Sequence, residues 1–374
     1  MDDLNLRIGI QQRVLPDYRK AFFEVLGQLA TRGLAVFGGQ PLPQEGIKPF
    51  SELNHAQLFL GKNRYLFDPS HALFLCWQQG LSHWLNCWQP QALIVEANPR
   101  ILSNRQAIAQ IQRQGGIVLG WGLGAPPING SYAFFRRHQR LRYLSQLDGI
   151  IAYSQKGAKE YLDLGIPPER VFVATNAVLP KPTAPPTYRP LPAIQHLQVL
   201  FVGRLQKRKR VDVLIKACAA LPEELQPYLI IVGDGPARKE LEILAMENLP
   251  ATMFCGDQRG EMLTQYFKQS DIFVLPGTGG LAVQQAMAYA LPVIVAQGDG
   301  TQEELVSPQN GWIVPEGDVT ALRNALRDAF MDIRGLRRKG MESYRIVAER
   351  VNVENMAAVF ISAIEQVWRL KQKT

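Results

Sequence analysis

The segment "VGRLQKRKR", residues 202–210, sets Arg204, Lys207, Arg208, Lys209 and Arg210 directly behind a strand-like run that ends at Gly203. A guanidinium can fork onto two phosphate oxygens and an ammonium is a mobile point charge, so Arg204 and Lys209 together suit a diphosphate. Taken alone, the cluster could also be a solvated turn, or touch nucleic acid or lipid. Further along, "VLPGTGGLAVQQAMAYALPVIVA" (274–296) leads from an apolar strand through the charge-free turn Gly277-Thr278-Gly279-Gly280 into a small-residue helix carrying Gln284 and Gln285. Bare glycines let main-chain amides at Gly279 and Gly280 approach an anion at a helix start. Glycines also serve tight turns for geometry alone. A third motif, "GDGPAR" (233–238, with Gly235), has two of the three glycines of a dinucleotide fingerprint.

Other chemistries find little footing. Cys76, Cys87, Cys218 and Cys255 form no CxxC pair and read as reduced, mostly buried thiols, while the five histidines form no ligand pair, so no metal or cofactor is expected. The net charge is +8, and residues 1–176 hold 18 basic against 12 acidic side chains. Such a basic first half attracts phospholipid headgroups, pyrophosphate-linked acceptors or nucleic acid, or is simply a solvated surface. No nucleic-acid recognition module accompanies it, and nucleic acid is not expected as a partner. The start "MDDLNLRIGI" lacks the basic and apolar regions of a signal peptide, and no run reaches the roughly 18 apolar residues of a membrane span. The expectation is a cytoplasmic protein whose membrane contact, if any, is peripheral and at the inner face.

The elements that must position these residues repeat along the chain. Apolar runs of five to seven residues at 5–11, 34–39, 92–98, 116–122, 149–154 and 171–175 alternate with helix-length segments, and the rhythm returns at 197–204, 228–235, 252–256, 271–277, 292–296 and 311–315. That is the pattern of doubly wound parallel sheets, and two α/β domains follow. Six prolines in "LPKPTAPPTYRPLP" (179–192) mark a linker or surface excursion between them. Residues 40–90 break the rhythm with short apolar runs and Trp77, Trp84 and Trp88, either a local core or an acceptor surface. The amphipathic stretch 352–372 reads as one long helix.

Together, "VGRLQKRKRVDVLIKA", "IIVGDGPARKELEILA", "FCGDQRGEMLTQYFKQSDIFVLPG" and "GGLAVQQAMAYALPVIVAQGDGTQEELVSPQNGWIVPEGDVTAL" resemble, in order and spacing, the retaining glycosyltransferases of the GT-B fold, family 4. The resemblance is specific over residues 149–330 and collinear but weaker before that. It implies two Rossmann-like domains facing a cleft: an acceptor-binding domain at 1–176, a donor-binding domain at 177–351, and a last helix, 352–374, returning to the first domain.

By that resemblance Arg204 and Lys209 hold the donor diphosphate and act in catalysis. The amides of Gly279, Gly280 and Leu281 meet the same group, and Gly203, Gly235, Asp257, Thr278 and Gly122 are counted among the donor-contacting positions. The Glu-x7-Glu hallmark of the family departs twice: Gly277 stands at the first position and Gln285 at the second. Gln285 can still exchange hydrogen bonds with ribose hydroxyls, whereas Gly277 offers only backbone. Where similar enzymes place a histidine after the strand "GIVLGWG", this chain has Leu123, and Arg13 in the first turn "GIQQRVLPDYR" is the residue expected to face the cleft. The implied activity is transfer of a hexose-type sugar from a nucleoside diphosphate to a glycan or lipid-linked acceptor. The lost glutamates and histidine keep open a non-catalytic nucleotide- or glycan-binding partner subunit, and a nucleotide-sugar 2-epimerase is a third reading.

Overall fold

A computed structural model describes residues 5–373 apart from 70, 72, 73, 129, 131, 132, 185, 187, 191–196, 280 and 299. The chain divides into two compact units, 1–180 with 353–374, and 181–352.

In the first unit β1 (Ile8–Val14) and α1 (Lys20–Leu29) lead to β2 (Leu34–Gly39), β3 (Gln57–Leu66), β4 (Leu75–Gln79), α2 (Leu81–Trp88), β5 (Ala92–Glu96), α3 (Ser103–Arg113), β6 (Ile117–Gly122), α4 (Ala133–Leu144), β7 (Gly149–Ala152), α5 (Gln155–Asp163) and β8 (Val171–Val173). They form an eight-stranded sheet in the order β4-β3-β2-β1-β5-β6-β7-β8. All pairs are parallel except β3 with β4. Strand order therefore reverses once, between β1 and β5.

The second unit runs β9 (Gln198–Val202), α6 (Val211–Ala219), β10 (Tyr228–Val232), α7 (Arg238–Asn248), β11 (Thr252–Phe254), α8 (Gly260–Gln269), β12 (Ile272–Leu275), α9 (Leu281–Ala288), β13 (Val293–Ala296), β14 (Gly311–Val314), α10 (Val319–Met331) and α11 (Ile333–Glu349). Its six strands, ordered β11-β10-β9-β12-β13-β14, are all parallel, and here the reversal lies between β9 and β12. The last helix, α12 (Val353–Lys371), belongs to the first unit.

Continuous apolar strands arise because both faces are covered. On one face of the first sheet Leu93, Val95, Val118 and Ile150 pack with residues of α2, α3, α4 and α5. On the other, Trp121 of β6 meets Phe22 of α1 and Phe360 of α12, with ring centroids 5.4 and 5.0 Å away. Local signals set the helix ends: Ser154, Asp318 and Asp332 each accept a backbone N–H three residues on, capping α5, α10 and α11.

Three expectations are corrected, wholly or in part. Residues 40–90 supply two further strands, β3 and β4, whose antiparallel hairpin ends the sheet; β3 alternates between exposed and half-buried residues, so it lacks the continuous apolar run that marks a central strand. Of the tryptophans, Trp84 is buried in the core against Phe37 and Trp88 packs on the same core while donating its indole N–H to the Ile8 carbonyl, as a local core requires, but Trp77 is exposed. Of the four free thiols only Cys76 and Cys218 are buried, and Cys87 is exposed on α2.

Candidate functional site

In an open parallel sheet, ligands sit beyond the carboxyl ends of the strands where the strand order reverses. In the second unit β9 ends there at Val202, followed by Gly203, Arg204 and a 3-10 turn at Lys207–Lys209, and β12 ends beside it, followed by Gly277-Thr278-Gly279 and α9. The two segments are pressed together. Thr278 donates its N–H to the Arg208 carbonyl at 3.0 Å. A Cβ on Gly277 would lie 2.3 Å from that same oxygen and 2.6 Å from the Lys209 carbonyl carbon, so no side chain fits where the family hallmark puts its first glutamate. Gly279 has φ +76, a left-handed conformation that favours glycine.

Lys209 is buried, and its Nζ donates to the Gly279 carbonyl at 2.5 Å, tying the basic turn of β9 to the glycine turn of β12. Arg208 accompanies it, with Nη1 3.4 Å from the Thr278 carbonyl oxygen. Arg204, singled out with Lys209 in the sequence, is exposed just beyond β9. Leu281 opens α9, and Gln285 lies one turn in and half-buried. Gly280 lies outside the described residues.

One expectation about this turn changes. The Gly279 N–H, expected to meet a phosphate, is donated to Gln302 Oε1 at 3.0 Å. Gln302 is buried, and its Nε2 donates to the Gly277 carbonyl at 3.1 Å and to the Ala296 carbonyl. One amide side chain thus satisfies the underside of the turn. Nothing in the sequence around "GDGTQEELV" distinguishes this glutamine from a loop residue. The neighbouring Glu303 accepts the N–H groups of Gly298 and Gly300.

The far end of α9 is also fixed. Arg189, from the proline-rich segment, donates to the Phe267 and Ser270 carbonyls at the end of α8 and to the Tyr289 and Ala290 carbonyls just beyond α9, at 2.6–3.0 Å. Burial, with Arg337 nearby, lowers its pKa to about 10. A cation at two helix C-termini is stabilised by their dipoles, so this stretch is an anchor for α9 as well as a connection.

The remaining donor-site candidates of the second unit follow β9, β10 and β11. Gly203 continues the ladder through its N–H to the Val232 carbonyl, and Gly235 donates to Asp234 Oδ1, with no room for a Cβ, which would fall 2.4 Å from the Leu205 carbonyl oxygen. Asp257 is exposed beyond β11, the outer strand, and pairs with Arg259 at 3.0 Å.

In the first unit the reversal brings together the ends of β1 and β5. Arg13, expected to present its charge to a ligand, is committed to Glu45 by a two-point ion pair at 2.6 and 3.1 Å and donates to Tyr65 Oη. Gln11 and Gln12 of the same turn are buried; Gln11 accepts the Glu96 N–H and donates to Gln78. Gly122 has no room for a Cβ, which would fall 2.6 Å from Tyr161 Oη, and Leu123 beside it is exposed.

Two residues that sequence reasoning missed stand at this reversal. Glu96, the last residue of β5, accepts the Arg13 N–H at 2.5 Å; desolvation lifts its carboxyl above the usual carboxylate range in spite of that bond and of Arg13 and Arg19. Arg19 is buried with its guanidinium 4.1 Å from the Trp121 ring centroid, donating to Tyr153 Oη and Asn176 Oδ1. "IVEANPR" and "PDYRKAFF" offer no spacing motif; only the crossover makes them neighbours. Among the described residues no group of three or more His, Cys, Asp and Glu side chains could hold a metal ion.

Comparison with known proteins gives these sites a context. Residues 193–344 match the family model of glycosyl transferases group 1. Over 140 residues the chain is 34% identical to sulfoquinovosyl transferase SQD2 of Arabidopsis thaliana, covering 35% of this chain and 26% of that one. It is 26% identical over 193 residues to the amylovoran biosynthesis glycosyltransferase AmsK of Erwinia amylovora, covering 48% and 47%. The matched stretch thus spans about a quarter to a half of these relatives' length. Among solved structures, sucrose-phosphate synthase from Thermosynechococcus elongatus superposes with a TM-score of 0.72 at 19% identity, covering 97% of this chain and 99% of that one. Anabaena HepE in complex with UDP does so with 0.73 at 15%, covering 96% and 99%. The chain has the GT-B architecture of these structures, and its residues 193–344 are similar to the glycosyl transferases group 1.

Proposed function

We propose that the chain transfers a hexose-type sugar, with retention of anomeric configuration, from a nucleoside diphosphate to an acceptor hydroxyl in glycan, glycolipid or polysaccharide assembly. The observation that carries this reading is the Lys209 ammonium held on the glycine turn at the β9/β12 reversal. As the glycosidic C–O bond breaks, negative charge grows on the departing diphosphate. Preorganised cations at that point lower the barrier most when water is excluded. Lys209 would exchange the Gly279 carbonyl for phosphate oxygens, Arg204 would close over the exposed side, and the start of α9 at Leu281 would add its partial positive charge. Gln285 would meet the ribose. The departing phosphate oxygen would take the acceptor proton, so the scheme assigns leaving-group stabilisation to side-chain cations and calls on no metal or cofactor. Structures of HepE with UDP and with UDP-glucose support a nucleotide-sugar donor.

The acceptor would belong to the first unit, where Glu96 and Arg19 at the β1/β5 reversal suit hydroxyl groups. The basic surface there suits a lipid- or pyrophosphate-linked acceptor reached by a cytoplasmic protein from the inner face of a membrane. No described helix is long and apolar enough to cross one.

Incubation with a panel of radiolabelled nucleotide sugars and a membrane extract tests the reading: label should pass to lipid or glycan in a donor-dependent way. Arg204→Ala and Lys209→Ala should each slow transfer at least about a hundredfold; unchanged rates would remove both from their assigned roles. A second reading, a nucleotide-binding partner subunit without turnover, draws on Gly277 and on the Gly279 N–H given to Gln302. Saturable binding of a nucleoside diphosphate with no transfer to any acceptor would favour it.

A further inference from the structure

Helix α4, "AFFRRHQRLRYL", has an inner face that belongs to the core and an outer face that matches nothing in the fold. Tyr143 and Leu144 are buried, and Arg140 is half-buried, donating to the Pro126 carbonyl at 2.6 Å. The first two turns are different: Phe134 is 87% exposed and Phe135 58%. At about 100° per residue, Phe134, Phe135, His138 and Arg142 share the outward face, whereas Arg136 and Arg137, exposed in the same turns, leave the helix on the side of Tyr143, Arg140 and Leu144. Between 133 and 144 there are four arginines, one histidine and no acid. Glu160 and Asp163 of α5 line a groove of about 250 Å³ with Arg137 and Arg140, on the flank away from the phenyl rings.

A phenyl ring gains nothing from water, and two of them beside uncompensated arginines ask for a partner that is apolar and anionic within one residue's reach. A bilayer of anionic lipids has that layering: phosphates at the level of the guanidiniums and acyl chains just below them. Nucleic acid or an acidic peptide would use the arginines and leave the outward phenyl rings without an apolar layer to enter. We infer that α4 docks by its outward face on an anionic lipid surface, Phe134 and Phe135 entering the acyl boundary while Arg142 and, by the length of its side chain, the exposed Arg136 meet lipid phosphates. The inference narrows the membrane-facing acceptor of the proposed function to one helix, and rests on that reading only for its biological sense.

Sedimentation of the full chain with vesicles tests it. The chain should bind phosphatidylcholine vesicles containing ~30 mol % phosphatidylglycerol and leave pure phosphatidylcholine nearly untouched. The double change Phe134→Ser with Phe135→Ser should weaken binding at least about tenfold. Arg136→Gln and Arg142→Gln should each weaken it about fivefold at low salt, with the difference shrinking as salt rises. Circular dichroism would show that the exposed substitutions leave the fold intact, and Arg338→Gln, an exposed arginine of α11, should bind like the parent chain. Equal binding by the double phenylalanine variant, indifference to phosphatidylglycerol, or tighter binding to an RNA oligomer than to vesicles would overturn the inference. Vesicle binding needs no donor. A chain that binds as described but transfers no sugar therefore supports the docking and overturns the transferase reading, whereas transfer without vesicle binding does the opposite.

Discussion

The β9/β12 reversal of the second unit and the β1/β5 reversal of the first occupy the same topological place and are furnished differently. In the second, two backbones touch: Gly277 lies against Arg208 and Lys209, Gln302 fills the space beneath, and a lysine holds the turn by a carbonyl. In the first, side chains do the filling: Glu96, Arg13 with Glu45, and Arg19 on Trp121. A backbone turn with cations around it offers a rigid, positively biased seat suited to an anion that changes charge. A carboxylate among arginines and tyrosines offers acceptors and donors suited to neutral hydroxyls. The same parallel topology thus leaves the chemistry of each crevice to a handful of residues at the strand ends.

The contrast can be broken at either end. The largest effect should come from Gly277→Ala, because a methyl 2.3 Å from the Arg208 oxygen forces the two turns apart; nucleoside diphosphate affinity, read by calorimetry, should fall about a hundredfold. Next is Gln302→Ala, which leaves the Gly279 N–H and two carbonyls without partners. It should cost about 2–4 kcal/mol in denaturant unfolding of the second unit. If stability is unchanged, the turn is not held from beneath.

The smallest effect sharpens the first crevice. The raised pKa of Glu96, caused by desolvation, means that the folded chain holds this proton more tightly than the unfolded one. Its favourable contribution is therefore complete below the ordinary carboxylate range and lost as pH rises through the folded value. Glu96→Gln should gain about 2 °C in Tm at pH 8 and lose that advantage as pH falls through the raised folded value toward 4.5. It should leave nucleoside diphosphate affinity untouched. A gain that persists unchanged at low pH would deny the carboxylate its strained charge.

Legibility followed the range of the signal. The six apolar runs of each half are strands in the structure; in the central strands burial on both faces writes a continuous apolar word, while β8 and β11, at the sheet edges, are three-residue strands of half-buried and exposed residues. β3 escaped because its alternation with exposed residues resembles a loop, and β4 because its run is broken by Gln78 and Gln79. At the second reversal, "VGRLQKRKR" and "PGTGG" are dense local motifs and were readable, but their partner Gln302 is a lone polar residue in a polar loop. At the first reversal nothing local pairs Glu96 with Arg13, more than eighty residues before it.

The sequence by itself determined the two α/β layers, the basic bias and the glycine turn with its cations, because periodicity, composition and short motifs are properties of neighbours in the chain. Only the tertiary structure decided that the Gly279 N–H serves Gln302, that Arg13 belongs to Glu45, and that α4 turns its phenylalanines outward. Hydrogen-bond donors and apolar faces take whichever partner the fold delivers, and those partners are set by strand order rather than by sequence distance.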